Sequence, residues 1–221
     1  MVETRSMLVP LYVHPLVDPA AWEALARSAP RLYGVVLNAA DGPGSTYDPA
    51  FADAAELLRA AGIRVLGYVD TAYGDRPVGD IVADARRHRQ WYGTDGLFLD
   101  QAAAEGQLVP HYRRLAAEAR TLGAHTVVLN PGVHPDPGYA RIADLLVTYE
   151  GGWDTYHRAG TPGWTADHPP ERFCHLIHGV PAGLSGLAAR TARLRGAAVH
   201  CAVTGDGANP WDALPEALHA G

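Results

Sequence analysis

Basic clusters, cysteine and long apolar runs are scarce in this sequence, and each shortage excludes something. No apolar stretch approaches the roughly 20 residues that a membrane-spanning helix needs. Eighteen Lys and Arg stand against 24 Asp and Glu, for a net charge of -6, and no basic run occurs. Nucleic acid and membrane are therefore not expected partners. Two cysteines, Cys174 and Cys201, form no disulfide framework. Both lie in apolar runs and are expected as buried free thiols. The start, MVETRSMLVPLYV, lacks the charged, apolar and small-residue order of a signal peptide. A cytoplasmic location is the expectation as the sequence stands, and a secreted one if a leader has been removed. The Gly-rich DGPGS, Asp41 to Ser45, lacks the lysine and the spacing of a phosphate loop. It reads either as a plain turn or as one that lets backbone approach a ligand. The 11 histidines are scattered, with no HExxH or HxH, so neither a metal nor any other cofactor is expected.

What is present is a recurring unit. Eight short apolar runs begin at Leu8, Gly34, Arg64, Gly96, Thr126, Leu145, Arg172 and Ala197, most of them about 30 residues apart, the length of one βα unit. Continuous Val- and Leu-rich runs suit parallel strands buried on both faces. Helical patterns lie between them: Pro19 to Ser28, Pro49 to Ala61 behind an Asp48 cap, Pro77 to Trp91, Leu108 to Leu122, Leu184 to Arg195 and Pro210 to Leu218. Gly62 and Gly123 stand as stops behind two of them. The fifth interval, before Leu145, is shorter and is expected to hold a single-turn helix. Eight such units favour closure, so the expected fold is α/β, a (β/α)₈ TIM barrel, as a single domain over residues 1–221. The segment from Gly151 to Pro170, rich in Gly, Pro, Trp and His, is a long loop of the kind that often carries function.

Each apolar run closes on polar residues. These are Tyr12 and His14, Asn38, Tyr68 and Asp70, Asp100, Asn130, Glu150, His178, and Thr204 with Asp206. That pattern is expected if all eight strand ends form one wet face, where barrel enzymes keep their sites. Helix caps and turns would use the same residue types. Asp100 and Glu150 are the sharpest pair, because both belong to even-numbered strands and alternate strands share an interior layer. Regular alternation puts Phe98 with Asp100 on one face, and Thr148 with Glu150 on one face. Two carboxylates flanking a pocket suit glycoside cleavage, one protonated to donate and one ionised. Asp70 competes for either role. Trp153, Trp164, Tyr149 and Tyr156 are either a wall on which sugars stack or packing beneath the long loop.

The strings LVPLYVHP, NAADGPGS, GIRVLGYVDTAYGDRP, WYGTDGLFLDQ, VVLNPG, ADLLVTYEG and VTGDGANPWDALP occur in this order. Together they resemble the spherulation-specific family 4 (spherulin-4) proteins from about Leu8 to Pro215. The resemblance implies a (β/α)₈ fold and kinship with glycoside hydrolases that cut α-1,4-linked galactosamine-containing polysaccharides such as fungal galactosaminogalactan. It also implies an Asp at the end of strand four, usually followed by Glu, and a Glu at the end of strand six. Asp100 and Glu150 match; Gln101 stands where the family pattern has Glu.

Three functions follow as expectations. The first is a glycosidase on amino-sugar poly- or oligosaccharides. Asp100 would be the nucleophile or stabiliser and Glu150 the acid/base. Tyr12, His14, Asn38, Tyr68, Asp70, Gln101, Asn130, Trp153, His178 and Asp206 would bind substrate. The second is a carbohydrate-binding pseudo-enzyme that lost turnover through Gln101. The third is a cytosolic enzyme on a small metabolite, with a closed pocket under the 151–170 loop. A neutral Gln101 removes a like charge, so Asp100 is expected to ionise readily, and Glu150 beside Trp153 to hold its proton.

Overall fold

A computed structural model describes residues 5–218. Eight parallel strands close into a barrel in sequence order. They are β1 (Met7–Pro10), β2 (Leu32–Leu37), β3 (Val65–Asp70), β4 (Gly96–Asp100), β5 (Thr126–Leu129), β6 (Leu145–Gly152), β7 (Phe173–His178) and β8 (Val199–Ala202). Met7 beside His200 makes the closing pair. Outside them lie α1 (Pro19–Arg27), α2 (Pro49–Ala60), α3 (Val78–Tyr92), α4 (Val109–Thr121), the short α5 (Trp153–Tyr156) and α6 (Ser185–Leu194).

The local chemistry explains the helix ends. The Asp18 and Asp48 side chains accept hydrogen bonds from Ala21 and Ala50 N–H, and a proline follows each as the first helical residue. The interval after β5 holds a 3₁₀ turn, Pro137–Arg141, capped by Asp136.

Period-two alternation sorts the strand residues into two layers. Leu8, Val36, Leu66, Phe98, Val128, Leu145, Val147, Leu176, Val199 and both cysteines fill the barrel interior. The alternate residues, such as Val35, Val69, Leu97, Val127 and Leu146, meet the helices. Cys174 and Cys201 are buried free thiols, as expected.

Two expected elements differ. The stretch from Pro210 to Leu218 forms no α-helix, only a 3₁₀ turn at Glu216–Leu218. Pro215, in mid-stretch, has no N–H to donate, and the chain folds back so that Trp211 is buried against the barrel interior. At Gly205 a Cβ would lie 2.4 Å from the Pro210 carbonyl oxygen, so only glycine permits that fold-back. The segment after β6 is also less open than expected. It carries α5, and Tyr156 packs with Ile177, Val180 and Ala188 on the outside of the barrel.

β6 is irregular in a way that matters for the site. Its register against β7 slips between Val147 and Tyr149. Val147 pairs with Cys174 and faces inward; Tyr149 pairs with His175 and packs outward. Glu150 then pairs with Leu176, an interior residue. Regular alternation from Val147 would have turned Glu150 towards the helices. One extra residue in the strand, a bulge, turns it into the barrel mouth.

Candidate active site

The C-terminal ends of the strands surround a cavity of about 550 Å³. Phe98 and Leu176 from the interior layer form its floor, and Tyr12, Asn38, Tyr68, Asp100, Asn130, Glu150 and His178 rise around it. The loop after β2 adds Asp41, and the loop after β8 adds Asn209 and Trp211.

Asn130 ties the carboxylates together. Its Nδ2 donates to Asp100 Oδ1 at 2.6 Å and to Glu150 Oε2 at 2.5 Å. Its Oδ1 accepts from Gly132 N–H at 3.0 Å, which fixes the amide orientation with the NH₂ on the acids. The second Asp100 oxygen accepts from the Tyr68 hydroxyl at 2.7 Å. Each of the two oxygens on Nδ2 is thus within 2.6 Å of one nitrogen, and they lie within about 5 Å of each other.

The environments of the two acids differ. Burial, and then the Asp100 charge, push the Glu150 carboxyl up to about 7, against smaller pulls from Asn130 and the Trp211 indole. Burial also lifts Asp100 above its ordinary range, while Tyr68, the Gln101 backbone N–H and Asn130 pull it back. The expected easy ionisation of Asp100 beside a neutral Gln101 is therefore offset by desolvation. Burial and the neighbouring carboxylates push the Tyr12 and Tyr68 phenols up, so both remain hydroxyl donors.

Tyr68 is itself held in place. The His88 ring occupies the space where a side chain on Gly67 would sit, with a Cβ there falling 2.5 Å from its Cγ. His88 Nε2 lies 2.7 Å from the Tyr68 carbonyl oxygen. Burial pushes His88 down to about 4, so it is neutral and its Nε2–H is the donor.

The profile of spherulation-specific family 4, Spherulin4, matches residues 6–220. The chain belongs to this family. Spherulin-4 of Physarum polycephalum is 35% identical over 153 residues, a match covering 67% of this chain and 45% of that protein. The chain thus spans less than half the length of this curated relative. Among solved structures, Aspergillus clavatus Sph3 in complex with GalNAc superposes with a TM-score of 0.83 at 23% identity, covering 99% of this chain and 96% of that one. The chitinase RmChi1 of Rhizomucor miehei superposes with a TM-score of 0.58 at 11% identity, covering 93% of this chain and 97% of that one. At these identities the structural matches establish the barrel fold.

Within this family member, five of the expected substrate-binding residues line the main cavity together with Asp100 and Glu150: Tyr12, Asn38, Tyr68, Asn130 and His178. Others are elsewhere. His14 bonds the Asp48 carboxylate at 3.0 Å and packs edge-on against Phe51, because the chain has already turned outward to start α1. Trp153 packs with Tyr149 and Tyr156 outside the barrel, and Trp164 lies against Phe173. The long loop therefore supplies packing rather than a stacking wall, and no residue from 151 to 170 lines the cavity. Asp70 uses an oxygen to cap Ala72 N–H at 2.7 Å and does not line the cavity. Asp206 is largely exposed, 3.5 Å from His178 Nδ1. Gln101 lies in a side alcove beyond the acids.

Trp211, Asn209 and Asp41 are site residues that strand-end reasoning missed. Trp211 and Asn209 arrive on a loop that doubles back, with Tyr12 N–H donating to the Trp211 carbonyl at 2.7 Å and Asn209 Nδ2 to the Tyr12 carbonyl at 3.2 Å. The only sequence signal for them was the NPWD string itself. Asp41 sits in the DGPGS turn with φ 50, anchored where Asn38 Oδ1 accepts from Gly42 N–H at 2.9 Å. The turn thus borders the cavity, in line with the ligand-approach reading.

Proposed function

We propose that this chain is a glycoside hydrolase acting on galactosamine-containing poly- or oligosaccharides. The observation that carries it is the Asn130-bridged pair at the base of an open cavity, with one acid held protonated near neutrality. Glu150 is the proton donor: it protonates the glycosidic oxygen as the bond from that oxygen to the anomeric carbon breaks. Asp100, with a donor on each oxygen, is the partner that stays charged and bonds to the anomeric carbon. Glu150, now ionised, takes a proton from water, whose oxygen displaces Asp100 and completes hydrolysis. The close oxygens of the pair support this retaining course, since retaining enzymes hold their carboxyls roughly 5–5.5 Å apart and inverting ones about 6.5–9.5 Å.

The substrate class is supported by the cavity's charge. Asp41, Asp100 and Glu150 line it, and among the described residues His178 is the one lining side chain of basic type. Such a lining suits neutral or cationic sugars and disfavours phosphorylated metabolites and uronic acids. Family membership points the same way, and Sph3, which shares the fold, binds GalNAc. The pseudo-enzyme reading is weakened by Gln101, which meets Asp100 through its backbone N–H and not through its side chain. A neutral residue there leaves the acid–amide network whole.

A digestion screen on acetylated and deacetylated galactosamine polymers, read by mass spectrometry, tests the proposal. Oligosaccharides are expected from the wild type and not from Glu150→Gln. Binding without any product would convert the reading to a carbohydrate-binding protein.

A further inference from the structure

A second hollow, of about 330 Å³, lies on the far side of the acid pair. Asp100, Asn130 and Glu150 line both hollows, so the acids form the divide between them. Each volume lies within the roughly 300–1,000 Å³ of small-ligand sites. The far alcove is completed by Tyr73, Gln101, Gly132 and Val133.

The alcove is built from strained backbone. Four described non-glycine residues have positive φ, and three of them are Ala72 at 46°, Tyr73 at 54° and Gln101 at 47°. Such conformations cost of order 1–3 kcal/mol each and persist only where surroundings enforce them. Here the enforcement is visible. Tyr73 N–H donates to the Gln101 carbonyl at 2.7 Å, stitching the loop after β3 to the loop after β4. The fully buried Thr71 hydroxyl lies 2.8 Å from the same carbonyl, 2.9 Å from the Asp100 carbonyl and 2.9 Å from the Tyr112 hydroxyl. This framework leaves the Tyr73 ring 61% exposed at the alcove, with Val133 54% exposed beside the same hollow. An aromatic ring held in water on an enforced backbone is a platform for an apolar sugar face.

Resting on the glycosidase reading, we propose that the Tyr73–Gln101–Val133 alcove is a second sugar subsite, across the acid pair from the main cavity. Tyr73 stacks on the ring of the sugar and Gln101 hydrogen-bonds its polar substituents. The substrate then spans both hollows, and the bond over the acids has sugar units on either side. Internal linkages of a chain are cleaved, and affinity rises with chain length until both hollows are filled.

The test is calorimetric titration of galactosamine oligomers of increasing length into Glu150→Gln, which separates binding from turnover. Tyr73→Gly and Gln101→Gly are added on that background. Glycine suits both positive-φ positions, so these variants are expected to fold. The expected result is an affinity step once oligomers outgrow the main cavity. Tyr73→Gly should lower that step roughly fivefold to tenfold and leave single-sugar binding unchanged. Equal affinity of parent and both variants at every length overturns the subsite while leaving the glycosidase reading intact. Failure of every oligomer to bind the parent, together with no product from the wild type, overturns both.

Discussion

Asp100 and Glu150 are joined through one side-chain amide, each accepting one of the two Nδ2 hydrogens of Asn130. The arrangement brings two like charges close while supplying the donor that makes their proximity tolerable. It also divides their roles. Asp100 has Tyr68 as a second donor, whereas Glu150, deeper in apolar surroundings, is pushed up to about 7. Of the two acids, Glu150 is the one that keeps its proton up to about pH 7.

Asn130→Ala should therefore be more damaging than an ordinary loss of one contact. The acids would face each other without a donor, and Asp100 would rise further, since like charges favour protonation. Hydrolysis should fall on the order of 100-fold, as for loss of a preorganised donor. The acid limb of the pH–rate profile should move to higher pH. A profile with an unmoved limb would show that the amide does not govern the pair.

The role division predicts unequal mutants. Glu150→Gln should lose most activity on natural polymer but retain a larger share on a substrate with an activated leaving group, which needs no proton. The fall in rate above about pH 7, where Glu150 ionises, should vanish with it. Asp100→Asn should lose activity on both substrates. Equal losses for both mutants on both substrates would refute the assignment.

Glu150 also makes a stability prediction. Its folded-state pKa is about 7 against an ordinary 4.5, so the folded protein holds this proton where the unfolded chain has released it. Stability must then fall as pH rises from 4.5 to 7, by up to about 3 kcal/mol. Glu150→Gln removes that penalty. Its thermal midpoint should exceed the wild type by several degrees at pH 8 and match it near pH 4. Identical curves at pH 8 would show that the carboxyl is not desolvated.

Trp211 offers a finer adjustment. Its indole favours the charged form of Glu150, so Trp211→Phe should raise the Glu150 pKa and move the basic limb to higher pH, with the fold intact. Trp211→Ala, which empties a buried site, should also cost about 3–5 kcal/mol of stability, measured by urea unfolding.

His14 and Trp153 supply the complementary case. Both are outside the cavity, so His14→Ala and Trp153→Phe should leave kcat/KM within about twofold of wild type. A tenfold loss in either would return it to the site.

The repeating apolar runs were enough to specify a closed parallel barrel, because eight buried strands at βα spacing have few other ways to cover both faces. The polar residue ending each run marked the functional face, and Asp100, Asn130, Tyr68 and Glu150 were all named by that rule alone. What sequence could not decide was direction. His14 ends a run like the others, yet the turn into α1 carries it to Asp48. Trp153 follows Glu150 closely, yet helix α5 takes it outside. Glu150 itself faces inward because β6 slips register by one residue, not because of alternation with Thr148. Trp211 reaches the acids from a loop more than 60 residues away, by folding back across the barrel mouth. Local pattern sets which residues sit at a strand's end. Bulges and long-range loop packing, which depend on contacts between distant segments, set which of them meet.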